Sequence, residues 1–307
     1  MNYRDREKTK AKEILDHVIR AAGNGEFDGR HYDFVLEDGL LNLWDGIRED
    51  ALDYFRENGI TWWRGGPENK PTGHLFSSQV ACLNHLYWLR ARKDAALAIA
   101  RQIHPGIVDI DEIDSGYVGF EVVGKDNYLG ERAHSRGANA TAFDAVIIGK
   151  KESGENCLIA IEWKYTEVYD STCLYKPARA EIYDHFLDDE NGPIEVSDKT
   201  ALYYEPFYQL MRQILLSWKI VEAGDYGCDE YLHVHVIPKE NRKLLETTEK
   251  LPGKTLTDAW RGVLKEPERY RIVDPQELLR PAKKLPASKA ILRYLENRYW
   301  RSMINCG

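Results

Sequence analysis

Cysteine is scarce in this chain of 307 residues: Cys82, Cys157, Cys173, Cys228 and Cys306 are scattered, with no Cys-x-x-Cys pair. An odd, patternless set excludes a disulfide framework and a zinc knuckle, and points to a reducing compartment, the cytoplasm. No apolar run approaches the roughly 20 residues that a membrane span needs. The opening Met-Asn-Tyr-Arg-Asp-Arg-Glu-Lys has no signal-peptide character, so no membrane partner is expected. A surplus of positive charge is missing too. The net charge of −8 argues against a protein that coats DNA uniformly. Internal repeats and low-complexity tracts are absent.

What remains is a 43% hydrophobic, 30% charged composition, that of a globular protein with a substantial core. The length allows one large domain or two ordinary ones. Charge is unevenly spread. Residues 239–301 carry 16 Lys/Arg against 9 Asp/Glu, a balance of +7 that leaves −15 elsewhere. Such a stretch is either a solvated surface or a basic arm that neutralises phosphates, with Lys283 and Lys284 as its test positions.

Periodicity predicts helices over 4–22 and 43–58, then a long one over 77–103 opened by Ser77 or Ser78 as N-cap. Strands follow at 117–123, 141–149 and 157–165. A helix over 206–223 begins at Pro206, where a missing N–H costs nothing, and a last strand covers 231–237. The order is αβββαβ.

The most informative feature lies in the middle pair of strands. Lys150-Lys-Glu-Ser-Gly-Glu-Asn156 is a short polar connection with a glycine near its centre, which makes the pair a hairpin. Folding it symmetrically about Ser153 sets Asp144 opposite Glu162. Alternation along the second strand puts Glu162 and Lys164 on one face, and Ile159, Ile161 and Trp163 on the other. Opposed side chains have Cβ atoms about 5 Å apart, where like charges repel. Two carboxylates and a lysine on one patch of an apolar sheet call for a cation.

Asp144 with Glu162-Trp163-Lys164 resembles the PD-(D/E)xK nuclease superfamily, the restriction-endonuclease-like fold, with Phe143-Asp144 in place of Pro-Asp. The element order over residues 76–240 matches that fold's core, about half of the chain. The resemblance implies an α/β protein with a mixed sheet flanked by helices. It divides the chain into an N-terminal helical extension (1–75), a nuclease-like core (76–240) and a basic C-terminal helical extension (241–307). It also implies a DNA endonuclease of restriction or defence type, with RNA not excluded, that works with Mg²⁺, for which Mn²⁺ can substitute. Asp144, Glu162 and the backbone carbonyl of Trp163 would hold the metal, and Lys164 would orient the attacking water. A polar residue on the helix after the third strand often reaches the site in this family, a role open to Gln209. A further acidic ligand is expected; the first core helix offers none, leaving Glu121 or Glu131, with Glu121 preferred. Cutting both strands of a duplex would ask for a homodimer. The alternative is a catalytically inactive nucleic-acid-binding module with a nuclease-like fold.

Other signals carry less. Gly253-Lys254-Thr255 lacks the first glycine and the preceding strand of a P-loop. His233-x-His235 could serve zinc, yet alternating polar residues on a half-exposed strand account for it better. Trp62-Trp63 could stack bases, though burial is the commoner fate of such a pair.

Overall fold

The computed structural model describes residues 1–137 and 140–300. Helix α1 (Tyr3–Glu13) runs on into a π-helical turn, and a hairpin of β1 (Gly23–Phe27) and β2 (Arg30–Leu36) follows. Next come α2 (Arg48–Glu57), α3 (Ser78–Leu86), α4 (Lys93–Ile103), β3 (Ile107–Asp111) and β4 (Gly119–Val122). Strands β5 (Phe143–Lys151) and β6 (Asn156–Trp163) lead through α5 (Pro177–Leu187) to α6 (Phe207–Glu222) and β7 (Glu230–Val236). The last elements are α7 (Arg242–Leu245), α8 (Leu256–Arg261), β8 (Tyr270–Val273), α9 (Pro275–Leu278) and α10 (Lys289–Leu295).

The central sheet has the order β3-β5-β6-β7-β8, with β4 pairing the other half of β5. Strands β3, β4 and β6 run antiparallel to β5, whereas β6, β7 and β8 are parallel. This is the expected α/β architecture, a mixed sheet flanked by helices. The near-continuous apolar run of β6, Cys157-Leu-Ile-Ala-Ile, follows from burial on both sides. One face packs beneath α3 and α4, where Ala95, Ala96, Ile99, Ala100 and Ile103 bring the helix close to the strands. The other lies under α6, whose Phe207, Leu210, Met211, Ile214 and Leu215 form its inner stripe.

The hairpin turn is closed by Lys151 N–H donating to the Glu155 carbonyl, with Gly154 at φ +92°, a left-handed conformation that glycine adopts without strain. Its register sets Ala145 against Ile161 and Lys150 against Asn156, the symmetric pairing read from the sequence.

Four expectations need correction. The helix predicted over 77–103 is two, because Tyr87–Leu89 tightens into a 3-10 turn and Arg92, at φ −132° and ψ 85°, leaves the helical path. Just ahead of the break, the Arg90 guanidinium binds the carbonyls of Val118 and Asp114 and lies 3.9 Å from the Tyr54 ring centroid. The hairpin β1–β2 stands where only a helix end was expected, and β3 and α5 were not expected at all. Strand β8, from the C-terminal segment read as helical, joins the main sheet beside β7. That pairing explains the fourth: His233 and His235 lie on an interior strand and are fully buried, not half-exposed. One hydrophobic core, running from Tyr3 through Trp163 to Tyr299, draws side chains from all three segments of the chain.

Candidate active site

The sheet register builds a row of acids. Across β4 and β5, Phe120 faces Ala145 and Val122 faces Phe143, so Glu121 stands level with Asp144. Across β5 and β6, Ala145 faces Ile161, so Asp144 stands level with Glu162, and Glu162 in turn faces His235 on β7. Glu121 adopts φ +49° within its strand. A left-handed backbone at a non-glycine residue costs about 1–3 kcal/mol and persists only where its surroundings hold it. Here Arg136 holds it: one guanidinium binds the carbonyls of Phe120 and Glu121, the Tyr54 hydroxyl and the Asp114 carboxylate.

Glu162 is the most heavily bonded member of the row. Its Oε1 accepts from Lys164 Nζ and from Gln209 Nε2, each at 2.7 Å, and its Oε2 accepts from Gln213 Nε2 at 2.5 Å. Lys164 Nζ also donates to Gln209 Oε1 at 2.5 Å. Gln209 and Gln213 lie one turn apart on α6, which sets both amides over the row. Behind them, His233 Nε2 sits 3.1 Å from Gln213 Oε1. Asp144 Oδ2 accepts from the backbone N–H of Trp163 at 2.7 Å. The Trp163 ring points to the opposite face and packs on His85.

Electrostatics follow from this crowding. Burial, then repulsion from Glu162 and Glu121, pushes the Asp144 carboxyl well above the usual carboxylate range, against the pull of Lys164 and the Trp163 N–H. Burial raises Glu121 to about 7; the bond from Gln79 opposes the rise and Glu162 adds to it. Burial alone would lower the Lys164 ammonium, but Glu162, Tyr169 and Glu167 around it hold its pKa well above the ordinary lysine range. The donor set, three hard carboxylates on one row, has the chemistry of a divalent-cation site. The three are not converged on a point. Glu162 turns its oxygens toward lysine and amides, and no three His, Cys, Asp or Glu side chains form a ready metal cluster among the described residues.

Thus Asp144, Glu162, Lys164, Gln209 and Glu121 come together, while Glu131 stands apart. The Glu131 carboxylate accepts from the Thr141 N–H and hydroxyl and from the Tyr183 hydroxyl, pinning the approach to β5. Several neighbours were not singled out in the sequence for what they do here. Gln213, one turn beyond Gln209 on α6, is 1% exposed. Gln79 Nε2 donates to Glu121 Oε1 at 2.7 Å. Glu205, its pKa raised by burial, accepts from the Gln209 N–H at the start of α6, and the Tyr169 ring lies 5.8 Å from Lys164 Nζ. The acid immediately before Pro206 was the one available signal for Glu205.

A family model described as REase-ARP, restriction endonuclease associating with ARP, matches residues 12–300, and the chain belongs to that family. The match runs through both segment boundaries, at 75/76 and 240/241. No curated protein and no solved structure matches the chain.

Proposed function

We propose that this member of the REase-ARP family is a metal-dependent DNA endonuclease of the PD-(D/E)xK type, acting in restriction or defence. The observation that carries the reading is the lateral register, which sets Glu121, Asp144 and Glu162 in one row with Lys164 bonded to Glu162. Asp144, Glu162, the Trp163 carbonyl and Glu121 would hold Mg²⁺, with Mn²⁺ as a substitute. When bound, the metal lowers the pKa of a water and offsets charge on the scissile phosphate.

The protein's own groups do the rest. Lys164, with its pKa held high, is an ammonium at neutral pH; it donates hydrogen bonds to the attacking water and the phosphate and takes no proton. Gln209 fixes the Lys164 head group by accepting a hydrogen bond from it while donating one to Glu162. Gln213 holds the other Glu162 oxygen and ties it to the Ala142 carbonyl, two residues before Asp144. The inactive-module alternative is not favoured, because acid, acid and lysine all stand together.

Incubation with plasmid, linear and single-stranded DNA in Mg²⁺, Mn²⁺ and EDTA tests the reading. Cleavage in the two metals and none in EDTA is expected; cleavage unaffected by EDTA would refute it. A homodimer, the simplest way to cut both strands, would give a doubled mass by light scattering.

A further inference from the structure

The Trp62-Trp63 pair separates into two roles. Trp62 is 2% exposed and stacks on Phe55 with ring centroids 3.8 Å apart, an ordinary core packing. Trp63 is 41% exposed. It stands at the end of a run of rings along the β1–β2 hairpin, with His74 buried and Phe27, Phe34 and Tyr32 half-buried: Trp63 to Phe27 at 5.7 Å, Phe27 to His74 at 4.7 Å, His74 to Phe34 at 5.4 Å, and Phe34 to Tyr32 at 5.0 Å. Cations border the run. The Arg64 guanidinium lies 5.7 Å from the Phe27 centroid and Lys8 Nζ lies 5.6 Å from that of Phe34. His74 itself stays neutral: burial first, then Arg4 and Lys8, bring its pKa down to about 4. Lys8 has no ion pair among the described residues, and the Arg64–Asp28 pair, at 3.1 Å, is solvent-exposed on both sides, a kind of pairing that holds weakly.

This platform is joined to the acid row by two hydrogen bonds. The backbone N–H of Trp63 donates to Gln79 Oε1 at 2.9 Å, and Gln79 Nε2 donates to Glu121. An exposed indole with cations bordering its run of rings, on a residue whose backbone is tied to the candidate site, fits a base that is not paired. Every base has a π-face, and aromatic side chains with basic neighbours are how single strands are held.

We infer that Trp63, with Phe27, Arg64 and Lys8, is a stacking platform for single-stranded or locally unpaired nucleic acid beside the acid row. The inference deepens the nuclease reading and takes its substrate from it. Its test is separable: a short fluorescent oligonucleotide, single-stranded or fully paired, is titrated in EDTA, so that neither metal nor turnover enters. Trp63→Ala should bind the single strand roughly 10- to 100-fold more weakly, Trp63→Phe should restore most of the loss, and the duplex affinity should change little. The backbone bond to Gln79 survives both substitutions, and a thermal melt of each variant checks the fold. Equal single-strand binding by Trp63→Ala and the unmodified protein, or an equal loss on duplex, would overturn the platform. If the Trp63 loss is seen but no metal supports cleavage, the nuclease reading fails while the platform stands.

Discussion

Replacing Glu121 by Gln isolates the electrostatic cost of the acid row. Glutamine keeps an oxygen to accept from Gln79 and removes one carboxyl that must otherwise ionise in a buried place beside Glu162. The Glu121 carboxyl titrates near its ordinary 4.5 when the chain is unfolded and near 7 when folded. The folded state therefore holds the proton more tightly, so stability is full below about 4.5 and is lost as pH rises through about 7. Such a displacement is worth about 3 kcal/mol. In EDTA at pH 8 the unmodified protein carries this penalty and Glu121→Gln does not. The variant should be more stable by up to about 3 kcal/mol, a Tm higher by roughly 5–10 °C for a chain of this size. At pH 4.5 the two should melt together. Thermal denaturation at both pH values, with and without Mg²⁺, is the assay. Saturating metal should stabilise the unmodified protein more than the variant. Equal Tm values for the two proteins at pH 8 in EDTA would refute the reasoning.

Other perturbations reach different parts of the account. Gln213→Leu leaves a Glu162 oxygen and His233 without a partner, and should weaken Mn²⁺ binding roughly 10- to 100-fold in a calorimetric titration. Arg136→Met removes the group that binds Tyr54, Asp114 and the backbone at Phe120 and Glu121; urea unfolding should show a loss of about 2–4 kcal/mol. Lys283 and Lys284 are exposed on the C-terminal segment. If they contact phosphate, changing both to Ala should reduce the slope of log affinity against log salt by about 1 per lost contact.

The hairpin was legible in the sequence down to its register, because β-branched runs flank a short turn and alternation settles which face each side chain takes. The acid row was half legible for the same reason. Asp144 and Glu162 share a hairpin, whereas Glu121, preferred to Glu131 but left open beside it, reaches them through β4, whose left-handed residue no local pattern announces. Gln79 and Gln213 look like ordinary polar helix positions, since nothing local distinguishes a solvated amide from one turned inward onto a carboxylate. The missed β8 has only four residues, and its pairing with β7 is a contact far apart in sequence. That one strand decided whether His233 and His235 face water or protein. The break at Arg92 arose similarly: Arg90, just ahead of it, is held by bonds to Asp114 and Val118 that helical periodicity does not encode.

The central claim, that Asp144 and Glu162 hold a catalytic metal while Lys164 serves the nucleophile, is tested most directly by titrating Mn²⁺ into Asp144→Asn and Lys164→Met beside a plasmid-nicking assay. Asp144→Asn keeps an oxygen for the Trp163 N–H and should lose both metal binding and cleavage. Lys164→Met should still bind metal, with turnover lower by roughly 10²-fold or more. Plasmid cut by Asp144→Asn as fast as by the unmodified protein would contradict the account.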